Sequence, residues 1–214
     1  MSAETKINDF TLRIATVNGS GSQSSNLVLT NAIFRLGIPV APKNVFPSNI
    51  EGLPTWFDVR VSADGYQCRT RNIDILVGLN PTTWHNDVPG VKPGGLIVHD
   101  STFARTGVTE RADVTYFAVP FTELAKTRIE QGALRKYLTN MIYVGVLAEL
   151  LGIDVATVEQ AVRTQFKSKA SAVESNMFAV RLGVDYTRDN FSKQSAYQLK
   201  PLNGKTAGQL LLDG

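Results

Sequence analysis

A β-rich run, Leu12–Val17, stops at Asn18-Gly19-Ser20-Gly21-Ser22, and beyond it Leu29, Ala32, Ile33 and Leu36 recur at i, i+3, i+4 and i+7. This order of strand, glycine turn and helix constrains the chain more than any other feature. It is the opening of a βαβ unit, which commits a chain to a sheet whose strands are joined by helical crossovers. Gly37 stands where the helix is expected to stop. Glycines two residues apart carry no Cβ, so backbone N–H groups at such a turn can approach a phosphate at the helix N-terminus.

The remainder of the chain agrees with a sheet of this kind. A second strand is expected over Val40–Phe46, irregular or at an edge because of its prolines. Thr55–Ser62 alternates Trp56, Asp58 and Arg60 with Phe57, Val59 and Val61, which predicts one buried face and one face that is wetted or covers a neighbour. Asp74–Leu79 and Gly95–His99 are short apolar runs of the kind found in covered parallel sheets. Asn80-Pro81 starts a short helix, Lys92-Pro93-Gly94-Gly95 has turn chemistry, and Val114–Val119 adds another strand. Beyond Pro120 three helices are expected, Leu134–Leu151, Val155–Phe166 and Ala172–Val184, with Gly152 as a stop and Asp154 as an N-cap. The predicted fold is α/β: a Rossmann-like, mostly parallel sheet with flanking helices and a C-terminal helical segment. Residues 1–191 are expected to form the domain and residues 192–214 a linker, whose closing Leu-Leu-Leu-Asp-Gly suggests a longer polypeptide.

Composition narrows the function classes. With 43% hydrophobic residues the chain can bury an ordinary core, and 22 basic against 19 acidic side chains is too even a balance to imply nucleic-acid binding. One cysteine, Cys68, excludes an internal disulfide, a CxxC pair or an iron–sulfur cluster ligated by this chain alone. His85 and His99 show no metal spacing and are read as structural. No run reaches the roughly 20 apolar residues of a membrane span, and the first ten residues lack the basic and apolar regions of a signal peptide, so a cytoplasmic location is expected.

The candidate ligand contacts therefore gather around the first turn. Gly19 and Gly21 have the spacing that opens a dinucleotide fingerprint, Ser24 takes its third glycine position, and Ser20, Ser22 and Gln23 add polar groups. A bare GxG after a strand is also simple turn geometry. No acidic residue lies between Asp9 and Glu51, which disfavours NAD; Lys43 would suit a phosphorylated ribose, as in NADP or coenzyme A, or is an exposed loop lysine. Ser48 and Asn49, in the loop after the second strand, are expected to face the same crevice or to form turn hydrogen bonds. Asn140, inside an apolar helix, needs a partner and is expected to approach the glycine turn or to bond across a helix pair beside Gly145.

Taken in order, Gly19-Ser-Gly-Ser-Gln23, Phe46-Pro-Ser-Asn-Ile-Glu-Gly52, the strand Trp56–Ser62, Asp74-Ile-Leu-Val-Gly-Leu79, Lys92-Pro-Gly-Gly-Leu-Ile-Val-His-Asp100 and Asn140-Met141 resemble the gamma domain of 2-oxoacid:ferredoxin oxidoreductases. The likeness is strongest to the form fused at the N-terminus of the large subunit of 2-oxoglutarate-type enzymes. Ser24 replaces a family glycine, and Asn49, Glu51 and Leu53 replace a glutamate, an arginine and a glycine, which puts anion contacts at that motif in question. The resemblance implies an enzyme that decarboxylates a 2-oxoacid on thiamine diphosphate with magnesium, sends electrons through iron–sulfur clusters to ferredoxin and yields acyl-coenzyme A. The thiamine and cluster chemistry would belong to partner domains or subunits, and this domain would help accommodate coenzyme A. Two other readings stand beside it: a binding or interaction domain without a catalytic role, and an NADPH-dependent reductase.

Overall fold

In the computed structural model, which describes residues 5–46, 50–103, 110–192 and 195–211, the apolar strands line up in one six-stranded sheet. Along the chain the elements are β1 (Lys6–Ile7), β2 (Asp9–Val17), α1 (Ser22–Arg35), β3 (Val40–Val45), β4 (Pro54–Ser62), β5 (Ile73–Gly78), α2 (Trp84–Asp87), β6 (Val91–Asp100), β7 (Thr115–Val119), α3 (Phe121–Arg128), α4 (Gly132–Leu151), α5 (Val155–Gln165), α6 (Ala170–Asn190) and β8 (Tyr197–Gln198). The order across the sheet is β3-β4-β2-β5-β6-β7. The pairs β2·β5, β5·β6 and β6·β7 are parallel, whereas β4 runs antiparallel to both β3 and β2. The sheet is mostly parallel, as expected, with one reversed strand inserted.

Strand alternation fixes the two faces. Ile14, Phe57, Val77, Val98 and Phe117 share the face that forms the main core with α1, α4, α5 and α6. Ala15, Leu76 and Ile97 face the other way, into a smaller cluster closed by Trp84 and Val88. On that second face Asp58 is buried, and it accepts two bonds from the Arg13 guanidinium at 2.7 and 2.8 Å and one from Arg69 at 2.6 Å. The polar side of β4 thus covers its neighbours and is not wetted.

Within the helical layer α4 and α6 cross at a pair of glycines. A Cβ on Gly145 would stand 2.0 Å from the Val180 carbonyl oxygen, and one on Gly183 would stand 2.0 Å from that of Ile142. The two backbones therefore touch, and only glycine fits at either position.

Several features differ from the sequence reading. Lys92-Pro93-Gly94-Gly95 is not a turn before a strand: it lies inside β6, where the register shifts between Ile73 and Ile75 and Gly94 adopts φ 77°. This is a bulge, which uses the same residues as a turn. An eight-residue helix, α3, was not foreseen, because its buried positions include only Phe121 and Ala125, too few for a visible period. Order also continues beyond residue 191 into the segment read as a linker. β8 pairs in parallel with β1, Leu199 N–H donates to Leu151 O at 2.8 Å, and the Asn8 side chain exchanges two bonds of 2.8 Å with the Lys200 backbone. Leu202 N–H then donates to Leu36 O at 2.7 Å. The closing Leu212-Asp213-Gly214 lies outside the described residues.

Candidate functional site

The connections from β2 diverge to opposite sides of the sheet. α1 leads to β3 on one side, and after β4 the chain passes to β5 on the other. A crevice forms outside the carboxyl ends of the strands at such a switch point, and the glycine turn sits there. Gly19 and Gly21 both adopt φ 81°, the left-handed region that glycine enters without strain. Gly21 occupies the N-cap position of α1 with no side-chain cap, so no capping side chain takes up the N–H groups of the first turn. Helix dipole and N–H groups together favour an anion at this end.

The turn is braced from three directions. Asn140, 4% exposed on α4, donates through Nδ2 to the Ser20 carbonyl at 2.8 Å and to Lys136 O at 3.3 Å. Ser22 Oγ and Thr16 Oγ1 are 3.0 Å apart. Asn18 ties the turn to the loop before β4: its N–H donates to Leu53 O at 2.7 Å, its Nδ2 donates to Ile50 O at 3.0 Å, and its carbonyl accepts from Gly52 N–H at 3.0 Å. Ser20 Oγ, by contrast, is buried without a hydrogen-bond partner among the described residues. A buried hydroxyl in that condition is suited to a ligand or a bound water.

Three cavities open around the braced turn. One of about 370 Å³, toward α3 and α4, is lined by Ser20, Glu51, Asp100, Thr122, Lys136 and Asn140 among others. A second, of about 350 Å³ toward the β3 edge, includes Gln23, Asn26, Asn44 and Thr55. The third, of about 500 Å³ between α1, α4 and α6, includes Ser24, Ser25, Leu134, Tyr137 and Asn176. The Asp100 carboxylate is already committed: Oδ1 accepts from Thr102 N–H and Oγ1, and Oδ2 from Thr122 N–H and Oγ1, at 2.6–2.9 Å. It anchors the start of α3 and has little left to offer a ligand. Asn26, which lines the second cavity, accepts at Oδ1 from the buried Tyr143 hydroxyl at 2.7 Å, and burial pushes that phenol far above its ordinary range.

The structure brings Gly19, Ser20, Gly21, Ser22, Gln23, Ser24 and Asn140 together around one turn. Asn140 reaches the turn, the first of the two outcomes its sequence position offered. Lys43 takes no part in lining these cavities. It is exposed on β3 in register with Asp58, on the face opposite Asn44, which does line the second cavity. The ribose-phosphate role considered for Lys43 thus loses its geometry. Ser48 and Asn49 lie outside the described residues. His99 is buried, edge-on to Trp84 and Tyr116, and His85 is exposed on α2. Two lining residues, Lys136 and Tyr137, were not singled out from the sequence. The available signal was spacing, since Lys136 lies four residues before Asn140 and so shares its helix face.

The sequence profile of the family described as pyruvate ferredoxin/flavodoxin oxidoreductase matches residues 11–186. The chain belongs to that family. Among characterised relatives, 2-oxoacid:ferredoxin oxidoreductase 2 subunit alpha of Aeropyrum pernix is 24% identical over 92% of the chain and 37% of its own length. The 2-oxoglutarate oxidoreductase subunit KorA of Mycobacterium tuberculosis is 23% identical, again over 92% of the chain and over 34% of its own length. The chain thus spans about a third of these curated relatives. It matches 87% of the short 2-oxoglutarate synthase subunit KorC of Archaeoglobus fulgidus, at 27% identity. Several solved structures share the fold, among them the two that follow. The 2-oxoglutarate:ferredoxin oxidoreductase of Magnetococcus marinus, with 2-oxoglutarate, coenzyme A and succinyl-CoA bound, aligns with a TM-score of 0.79 at 22% identity, covering 92% of this chain and 34% of that one. The gamma subunit of a keto/oxoacid ferredoxin oxidoreductase from Geobacter sulfurreducens aligns with a TM-score of 0.68 at 19% identity, covering 84% of this chain and 99% of that one. The domain therefore has the gamma-type fold, found both as a separate subunit and as part of a longer chain.

Proposed function

We propose that this domain serves a 2-oxoacid:ferredoxin oxidoreductase by holding coenzyme A at the edge of an active site completed by thiamine-diphosphate domains. The observation that carries the proposal is the turn Gly19–Gly21, which lines cavities at the switch point: two left-handed glycines and an uncapped helix start, with the Ser20 hydroxyl buried beside them and without a partner among the described residues. That donor set fits a phosphate-bearing ligand. Coenzyme A and succinyl-CoA, both phosphate-bearing, are bound alongside 2-oxoglutarate in the Magnetococcus marinus relative. On this reading N–H groups and hydroxyls of residues 19–24, with Asn140 fixing the turn, position the coenzyme so that its thiol meets an acyl fragment. The contribution is proximity and not proton transfer.

Thiamine diphosphate, magnesium and iron–sulfur clusters would be supplied by partner domains or subunits, and ferredoxin would meet the complex there. Among the described residues no cluster of three or more His, Cys, Asp or Glu could hold a metal ion. 2-Oxoglutarate is the substrate we favour, from the named relatives. The test is to purify the native protein with its partners, measure thiamine and iron, and assay coenzyme A-dependent ferredoxin reduction with 2-oxoglutarate, pyruvate and ketoisovalerate. Both cofactors and a preference for 2-oxoglutarate are expected. A lone 23.3 kDa species free of both cofactors would overturn the proposal.

A further inference from the structure

The cavity of about 370 Å³ beside the turn carries a single cation among its described lining residues, the Lys136 ammonium. Of the two carboxylates there, Asp100 is consumed by four hydrogen bonds. The other, Glu51, has no such commitments: its Oε1 stands 3.4 Å from Lys136 Nζ. The same side chain lies against the bare face of Gly19, where an added Cβ would be 2.6 Å from Glu51 Cγ and 2.9 Å from Oε1. Its backbone is fixed by the neighbouring Gly52–Asn18 bond, yet its side chain is 77% exposed and so free to leave.

We propose that Glu51 is a built-in competitor for the anion position: its carboxylate covers Gly19 and neutralises Lys136, and a phosphate-bearing ligand binds by displacing it and taking Lys136. This inference rests on the coenzyme A reading and names the residues that set its affinity. An anion entering beside Gly19 otherwise meets a carboxylate within contact distance, and like charges that close repel even in water. Once Glu51 swings out, Lys136 exchanges one anionic partner for another, and no covalent bond changes. The half-exposed ion pair is cheap to break, which suits a group that must yield to a ligand. Glu51 thereby sets a threshold that rejects weakly charged anions and admits those able to pay for the exchange with several phosphate contacts.

The test is calorimetric titration of coenzyme A into the native protein with the partner chains that copurify, comparing wild type, E51Q, K136M and the double variant. Glutamine keeps the shape of Glu51 and removes its charge, and both positions are exposed enough to leave folding intact, which a thermal melt checks. E51Q should bind coenzyme A about three- to tenfold more tightly, and K136M should bind more weakly by a similar factor. In the K136M background the gain from E51Q should shrink, because the carboxylate no longer has an ammonium to neutralise. If wild type binds coenzyme A and E51Q binds equally or more weakly, the competitor role is overturned while the proposed function stands. An undiminished gain from E51Q in the K136M background overturns the part assigned to Lys136. If no protein binds, E51Q included, both the inference and the proposed function fall.

Discussion

At the scale of single residues, one buried side chain holds the glycine turn and another anchors the opposite end of the sheet. Asn140 is buried with its amide on the Ser20 carbonyl, so Asn140→Ala leaves that carbonyl without its partner. The variant should lose about 1–2 kcal/mol in chemical denaturation and show faster amide exchange at residues 19–21. Asp74, at the other end of the sheet, carries a pH signature. Burial alone would raise its pKa, but the Thr11 N–H at 2.9 Å, Lys6 at 3.0 Å and Lys92 at 3.1 Å outweigh that and hold it below the ordinary carboxylate range. A pKa lower in the folded than in the unfolded state contributes stability that is present above the unfolded value and is lost as pH falls through the folded one. Stability should therefore drop as the protein is acidified below about pH 4. Asp74→Asn should flatten that part of the curve and cost about 1–3 kcal/mol at neutral pH, read from denaturation midpoints across pH.

At the scale of elements, the helical layer sets a glycine at the α4–α6 crossing against one away from it. Gly183→Ala forces a methyl into the Ile142 backbone and should cost about 3 kcal/mol or more. Gly132→Ala, in the first turn of α4 with nothing within 4 Å of its Cβ position, should instead gain about 0.5–1 kcal/mol. Denaturant titration of the two variants side by side checks both signs. Most elements were legible in the sequence because apolar spacing carried them: α4, α5 and α6 begin within about two residues of the expected positions. The antiparallel direction of β4 was not legible, since alternation reports which side chains share a face but not which way a strand runs. Nor was the β1–β8 pairing, where two-residue strands are too short to show a period. For the site, the glycine turn and Asn140 could be read from residue type alone. Glu51 and Lys136 meet across 85 residues, and exposed charged side chains leave no periodic trace of such a meeting.

At the scale of the whole molecule, the glycine turn and the C-terminal segment lie at opposite ends of α1. The glycine turn sits at the start of α1, and the C-terminal segment packs at its far end, roughly 20 Å away for a helix of this length, where Leu202 N–H donates to Leu36 O and Thr206 Oγ1 to Phe34 O. Among the described residues, the C-terminal segment packs against β1, Leu36 and Leu151 and lines none of the three cavities at the crevice. The proposal that residues 19–24 hold the phosphates of coenzyme A is tested most directly by hydrogen exchange of the native assembly with and without coenzyme A. Slower exchange confined to the amides of residues 19–24 and the Asn140 segment is the predicted result. Unchanged exchange there, at coenzyme A concentrations that saturate the assembly, would contradict it.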